Sequence, residues 1–187
     1  MDDKQFLDEY FERYREVLFD PAIYPSLVRM RDEVLKMRER GGKLIFAGNG
    51  GSAAIASHCS VDFTKQGGVR SIDFNEADLI TCFANDYGYE HWVEKALEYH
   101  ASPEDVAVLI SSSGKSANIV NAAKKAKQMG LFVVTLSGFE RENPLSAEGD
   151  LHLWVDSRAY NVIENTHQIW LLSVCDMVIG KAEYGVE

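Results

Sequence analysis

Two short segments concentrate the side chains able to bind an anion or move a proton. The first is Phe46-Ala-Gly-Asn-Gly-Gly-Ser52, with Ser52 near the start of the following helix. The second is Ser111-Ser-Ser-Gly-Lys-Ser116, four hydroxyls in six residues around one glycine. Glycine lets a backbone turn sharply and approach a ligand closely. A serine-rich loop that opens a helix combines free N–H groups, the positive end of the helix dipole and hydroxyl donors, which suits a phosphate monoester. Lys115 adds a charge only if it turns inward, and a loop lysine more often faces solvent. Neither segment matches Gly-x-x-x-x-Gly-Lys-[Ser/Thr], which disfavours a nucleoside triphosphatase. Gly48-x-Gly50-x-x-Ala53 matches the permissive dinucleotide fingerprint, and Asp73 falls at the end of the next strand, where a ribose-binding acid would sit. That spacing alone is a weak signal, and it leaves the serine segment unexplained.

Both loops need a strand before them and a helix after them. Lys43–Ala47 reads as a buried strand and 53–65 as a helix. Val106–Ile110 reads as a strand, and 117–129 as an Ala/Lys-rich helix ending at Gly130. Further strands are expected at 71–74, 131–136 and 151–155, and further helices at 77–86, 89–99 and 160–182. Ahead of the first strand, Phe6, Tyr10, Tyr14 and Leu18 recur at helical spacing over 3–18. Asp20-Pro21 ends that helix, because a residue before proline avoids the α region. A second amphipathic helix over 24–40 carries Leu27, Met30, Val34 and Met37 and stops at Gly41-Gly42. Strands alternating with helices imply a parallel sheet covered on both faces. The expectation is an α/β fold, doubly wound, in one domain over 1–187: a helical hairpin over 1–41 and a sheet core over 42–187.

Composition narrows the function. The 187 residues carry 19 Lys plus Arg against 29 Asp plus Glu, a net charge of −10. A nucleic-acid backbone is bound mainly by Lys and Arg, so a dedicated nucleic-acid binder is disfavoured. A small anionic ligand is not, since backbone amides hold phosphate inside acidic proteins. Cys59, Cys82 and Cys175 are odd in number and form no Cys-x-x-Cys, which reads as reduced thiols in a cytoplasmic protein. No apolar run approaches the ~18 residues of a membrane span. The charged N-terminus lacks the apolar stretch of a signal peptide. His91, His100 and His152 have no partners at suggestive spacing and read as structural. Trp92, Trp154 and Trp170 read as core or interface residues.

Three ordered motifs carry a resemblance: Ala47-Gly-Asn-Gly-Gly-Ser52, Phe83-Ala-Asn-Asp-Tyr-Gly88 and Ile110-Ser-Ser-Ser-Gly-Lys-Ser-Ala-Asn118. Together they resemble the sugar isomerase (SIS) domain family, and within it the phosphoheptose isomerases. The resemblance implies a flavodoxin-like, five-stranded parallel sheet and a homotetramer with sites between subunits. It implies interconversion of sedoheptulose 7-phosphate and glycero-manno-heptose 7-phosphate for surface polysaccharide. By position, Ser111, Ser112, Ser113 and Ser116 would hold the sugar phosphate. Asn49, Gly50, Gly51 and Ser52 would line the sugar, and Asp86 would contact it. His58 and Asp62 match a His-x-x-x-Glu whose glutamate is the family's base and a zinc ligand. Glu164 takes the place of a ligand glutamine, and Asn161 that of a substrate-binding aspartate.

The departures bear on mechanism. Asp62 is one methylene shorter than the family glutamate, Glu164 replaces the glutamine, and Leu172 stands where a catalytic, zinc-binding histidine is expected. Aldose–ketose isomerisation moves a proton between adjacent carbons through an enediol, and needs a base near the carbon and an acid or metal near the oxygens. His58 and Asp62 are i and i+4; Glu164 and His167 are i and i+3. If the two helices face one another, these four form a relocated divalent-metal site, zinc being the expected ion, with Asp62 as base and His58 and His167 as its catalytic partners. A different class of function is a non-catalytic SIS module that binds a phosphosugar or a protein. Leu172 favours that alternative; the retained His58 and the two carboxylates disfavour it.

Overall fold

A computed structural model describes residues 2–183. Two helices come first, α1 (Asp3–Leu18) and α2 (Tyr24–Glu39). Asp2 caps α1 by accepting from the Gln5 N–H at 2.8 Å. The Asp20-Pro21 break forms a short 3₁₀ turn, Pro21–Ile23, in which Asp20 accepts from the Ala22 N–H at 2.9 Å. Strands and helices then alternate: β1 (Leu44–Ala47), α3 (Gly51–Lys65), β2 (Ser71–Asp73), α4 (Ala77–Tyr87), α5 (Trp92–His100) and β3 (Val106–Ile110). After these come α6 (Ala117–Gln128), β4 (Phe132–Ser137), β5 (Leu151–Trp154) and α7 (Tyr160–Ile179).

The five strands form one sheet, in the order β2-β1-β3-β4-β5, and every pairing is parallel. The flavodoxin-like sheet and the helical hairpin expected from sequence are therefore both present. β1 and β3 are buried at every position, as strands covered on both faces must be. β5, at one edge, alternates between buried and half-buried residues.

Helices α1, α2, α3 and α7 cover one face. Met30, Val34, Met37, Phe46, Phe63 and Trp170 form the core there. Helices α4, α5 and α6 cover the other face, with Trp92, Leu97, Ile119 and the alanines Ala122, Ala123 and Ala126 packed beneath them. At the amino ends of β1 and β3, Asp105 is 2% exposed and accepts from the Lys43 and Ser102 N–H groups at 2.9 and 2.8 Å. Lys43 Nζ closes this cluster at 2.6 Å, so the two central strands start in fixed register.

Some boundaries differ from the sequence reading. α3 begins at Gly51 rather than 53, because Gly50 (φ 56°) completes the turn by itself. The helix expected from 89 begins at Trp92, after a turn in which His91 N–H donates to the Gly88 carbonyl. α7 ends at Ile179, not 182, because Gly180 adopts a left-handed φ of 85°. No helix among the described residues is long and apolar enough to cross a membrane.

Candidate functional site

β1 and β3 are neighbours, yet the chain leaves β1 toward β2 and leaves β3 toward β4, so the strand order reverses between them. Ligands of open parallel sheets bind at the carboxyl ends of strands at such a point. The two loops singled out in the sequence meet here. Asn49 Nδ2 donates to Asn118 Oδ1 at 2.9 Å, and Asn118 Nδ2 returns the bond to Asn49 Oδ1 at 2.9 Å. The Tyr89 hydroxyl also donates to Asn49 Oδ1, at 3.0 Å. One amide hydrogen of Asn49 is left for a ligand. The first loop needs its glycine at 48, where a Cβ would lie 2.6 Å from Ser52 Cβ and 2.7 Å from its backbone.

The serine loop is held from within and from behind. Ser111 Oγ donates to Ser116 Oγ at 3.0 Å, and Ser113 Oγ accepts from the Lys115 N–H at 3.2 Å. Gly114 has a φ of 65°, and the Asn143 side chain fills the space its Cβ would need. Asn143 is itself fixed, donating to Ser137 Oγ and the Glu140 carbonyl at 2.9 Å and accepting from the Ser146 N–H at 2.9 Å. Ser112 Oγ is buried without a partner among the described residues. Lys115 is exposed.

Asn49, Ser52, Ile110, Ser111, Ser112, Ser113, Ser116, Tyr160 and Glu164 line a cavity of about 130 Å³ between the loops. That volume suits a phosphate group and the first atoms attached to it. Hydroxyl donors, an orphaned buried hydroxyl among them, suit its oxygens. Glu164 supplies a carboxylate, half-buried, whose pKa burial pushes above the ordinary carboxylate value. Its carboxylate lies where a Cβ on Gly51 would have to go.

Several residues expected at the site lie elsewhere. His58 and Asp62 sit on α3 outside this cavity. Gln168 Nε2 donates to His58 Nδ1 at 2.6 Å, so the proton of the neutral ring is on Nε2, which donates to Asp62 Oδ2 at 3.1 Å. His167 is fully buried, and its Nε2 donates to the Ser137 carbonyl at 3.1 Å. Burial pushes its pKa down to about 4, so it is a neutral core residue, and it does not line the cavity. Leu172 packs against the core. The set His58, Asp62, Glu164 and His167 is therefore not assembled within the chain. Among the described residues, no group of three or more His, Cys, Asp or Glu is arranged to hold a metal ion. Asn161 is exposed, donating through Nδ2 to the Tyr10 hydroxyl at 3.0 Å. Asp86 is exposed on α4 and accepts from Asn85 Nδ2 at 2.8 Å. Neither lines the cavity.

Sequence reasoning missed Tyr89, Asn143, Tyr160 and Gln168, and gave Asn118 no role. Asn118 stood inside a quoted motif, and its polarity at the start of an Ala-rich helix was the available signal. Gln168 and Asn143 carried none.

Fold and pocket together define a parallel α/β domain with a hydroxyl-lined cavity at its switch point. The chain belongs to the SIS domain family, whose model matches residues 25–138. It is similar to the phosphoheptose isomerase of Helicobacter hepaticus, 32% identical over 163 residues that span 84% of this chain and 83% of the relative. A probable phosphoheptose isomerase of Thermoplasma acidophilum is 30% identical over 97% of this chain and 100% of its own. The solved structure of a phosphoheptose isomerase from Neisseria gonorrhoeae superposes with a TM-score of 0.83 at 26% identity, covering 94% of this chain and 98% of that one.

Ser112→Ala removes a buried hydroxyl that has no partner, so the unliganded variant should melt no lower than the parent. Its dissociation constant for inorganic phosphate should rise about tenfold, the worth of one hydrogen bond to a charged group. Calorimetry with thermal melts reads both; unchanged affinity would place the phosphate elsewhere. His167 gives a pH signature. The unfolded ring protonates near 6.5 and the folded ring only near 4, so its contribution is complete above the former value and falls as pH drops toward the latter. The loss should total about 3 kcal/mol. Urea denaturation at pH 7 and pH 4.5 should show a smaller pH effect in His167→Gln than in the parent.

Proposed function

We propose that the chain is a phosphosugar aldose–ketose isomerase that converts sedoheptulose 7-phosphate to glycero-manno-heptose 7-phosphate. The observation that carries this reading is the orphaned Ser112 hydroxyl, buried in a cavity with four other serine side chains at the switch point between β1 and β3. A buried donor left unpaired costs stability unless a ligand completes it. The relatives that match most of this chain bear the name phosphoheptose isomerase, which supports a sugar phosphate among possible anions.

In this reading the serine loop holds the phosphate at one end of the sugar. Asn49, fixed by Asn118 and Tyr89, and Ser52 meet the nearer hydroxyls. The phosphate thereby fixes the position of the distant reacting carbons, converting binding energy into orientation. The reaction then needs proton transfers at the two reacting carbons and their oxygens. The expected metal donors do not fit an ion within one chain, so no step is routed through a metal.

The site is completed by a second copy of the chain. Phe6, Phe11 and Ile169 are 57%, 59% and 45% exposed along α1 and α7, and Val61 on α3 is 60% exposed. Tyr10, Phe11, Tyr14, Leu18 and Ile169 line an apolar groove of about 480 Å³ on the same side. Contiguous apolar surface of this kind is covered in soluble assemblies.

Following a panel of five- to seven-carbon ketose phosphates by NMR tests the activity. Aldose should accumulate fastest from the seven-carbon substrate. Binding without turnover on every member would favour the non-catalytic module. Light scattering tests the assembly: the parent should run near four times the 21.0 kDa chain mass, and Phe11→Glu well below it. A parent mass near that of one chain would reject the shared site.

A further inference from the structure

The segment 138–146 runs behind the serine loop and holds it. Gly138 N–H donates to the Ser112 carbonyl at 2.8 Å, and Leu145 N–H donates to the Gly114 carbonyl at 3.0 Å. Between these bonds the Asn143 side chain fills the space that a Cβ on Gly114 would need. The two carbonyl bonds are made by backbone and do not depend on residue type. The Asn143 amide does, because its place is set by what its own hydrogens and oxygen meet.

The orientation of that amide is fixed by backbone groups. Its Oδ1 accepts from the Ser146 N–H and its Nδ2 donates to the Glu140 carbonyl, both at 2.9 Å, which decides the end that is nitrogen. The second amide hydrogen goes to Ser137 Oγ at 2.9 Å. Ser137 is fully buried, so its hydroxyl hydrogen needs an acceptor in turn. His152 Nε2 lies 3.1 Å away, and among the described residues this hydroxyl has no partner besides Asn143 and His152. Ser137 Oγ therefore donates to Nε2. The proton of the neutral ring is then on Nδ1, which donates to Thr135 Oγ1 at 2.8 Å. The sheet places these groups. Thr135 pairs with His152 across β4 and β5, and Thr135 and Ser137, two residues apart, share one face of β4. Burial holds the pKa of His152 below the ordinary histidine value and Arg141 lowers it further, which keeps the ring neutral at neutral pH.

The hydrogen bonds thus run one way, from Asn143 to Ser137 to His152. Without an acceptor at the place of Nε2, the Ser137 hydroxyl hydrogen would be buried and unpaired. That costs free energy, which turning the Asn143 side chain away from Gly114 can recover. We propose that His152, on the edge strand β5, is a positioning residue for the serine loop: its ring accepts from Ser137, Ser137 accepts from Asn143, and the amide so held keeps 111–116 curved for an anion. The proposal rests on the reading that this loop holds the sugar phosphate. His152 does not line the cavity, so it acts through this chain of bonds and not by touching the ligand.

Calorimetry with inorganic phosphate reads the loop without requiring turnover, and the choice of substitution separates this role from packing. A glutamine oxygen stands as many bonds from Cβ as Nε2 does, whereas an asparagine reaches only as far as Nδ1. His152→Leu and His152→Asn should each raise the dissociation constant for inorganic phosphate about tenfold, because a loop no longer moulded in advance must be ordered when the ligand binds. His152→Gln should stay within about threefold of the parent, since it restores the acceptor for Ser137. Ser137→Ala should weaken binding by a factor similar to His152→Leu. Adding His152→Leu to Ser137→Ala should weaken it no further, because both substitutions break the same chain. Nitrogen-15 NMR of the parent at neutral pH should show the His152 ring protonated on Nδ1 and bare on Nε2.

Parent-like affinity in folded His152→Leu and His152→Asn overturns the proposal. Rescue by asparagine but not by glutamine also overturns it, since that would tie the residue to Thr135 alone. So do losses that add in the double variant, or a ring protonated on Nε2. If the leucine and asparagine variants do not fold, the glutamine variant and the tautomer still decide: a glutamine variant about tenfold weaker than the parent overturns the role. A parent that binds no phosphate would remove the anion reading, and this role with it. A parent that binds phosphate while every His152 variant matches it would remove the positioning role and leave the anion reading standing.

Discussion

The exchange of two hydrogen bonds between Asn49 and Asn118 is the contact on which the site depends. The helices that follow β1 and β3 leave toward opposite faces of the sheet, α3 toward the hairpin side and α6 toward the α4–α5 side. Nothing in a parallel sheet by itself sets the width of the gap between them. Asn118 is 2% exposed, and its amide spans that gap to a loop 69 residues earlier. Tyr89 adds a third bond from the α4–α5 connection. Each bond is worth only about 1 kcal/mol, but breaking one leaves a buried amide unpaired, which costs more. Ser52, the serine loop and the space that Glu164 enters all take their positions from this bridge.

The wall of the cavity holds no lysine or arginine, in a chain that is acidic overall. The donors are hydroxyls and the free N–H groups at the starts of two helices, and their dipoles are fixed by the fold. Lys115, the cation nearest in sequence, faces solvent. Recognition built on dipoles falls off quickly with distance, so such a wall suits an anion small enough to enter the space between the loops.

The sheet was legible because its signals are local. Apolar runs at Leu44–Ala47 and Val106–Ile110 are what a strand buried on both faces requires, and the glycines and serines after them mark the turns. The serine pocket was legible for the same reason. The metal set was not, and helical geometry explains why. Residues i and i+3 are offset by about 60° around a helix. α7 packs between the helices α2 and α3, with residue 167 against the end of β4, so that angle is enough to move a side chain from the pocket to the core. Glu164 reaches the cavity while His167 bonds to the Ser137 carbonyl beneath it. Gln168 turns instead toward His58 and closes its Nδ1, a role that no property of a lone glutamine announces. Asn49 and Asn118 were both visible as polar residues in motifs, but their pairing follows only once β1 and β3 are known to be neighbours.

Asn143 gives the serine loop a memory of its shape. It stands behind Gly114 and is held by three hydrogen bonds to residues 137, 140 and 146. The curve of 111–116 is therefore imposed by a segment that itself does not line the cavity. A loop moulded in advance loses little conformational freedom when an anion arrives, so more of each hydrogen bond appears as affinity. The cost was met earlier, when the chain folded with the Ser112 hydroxyl unanswered.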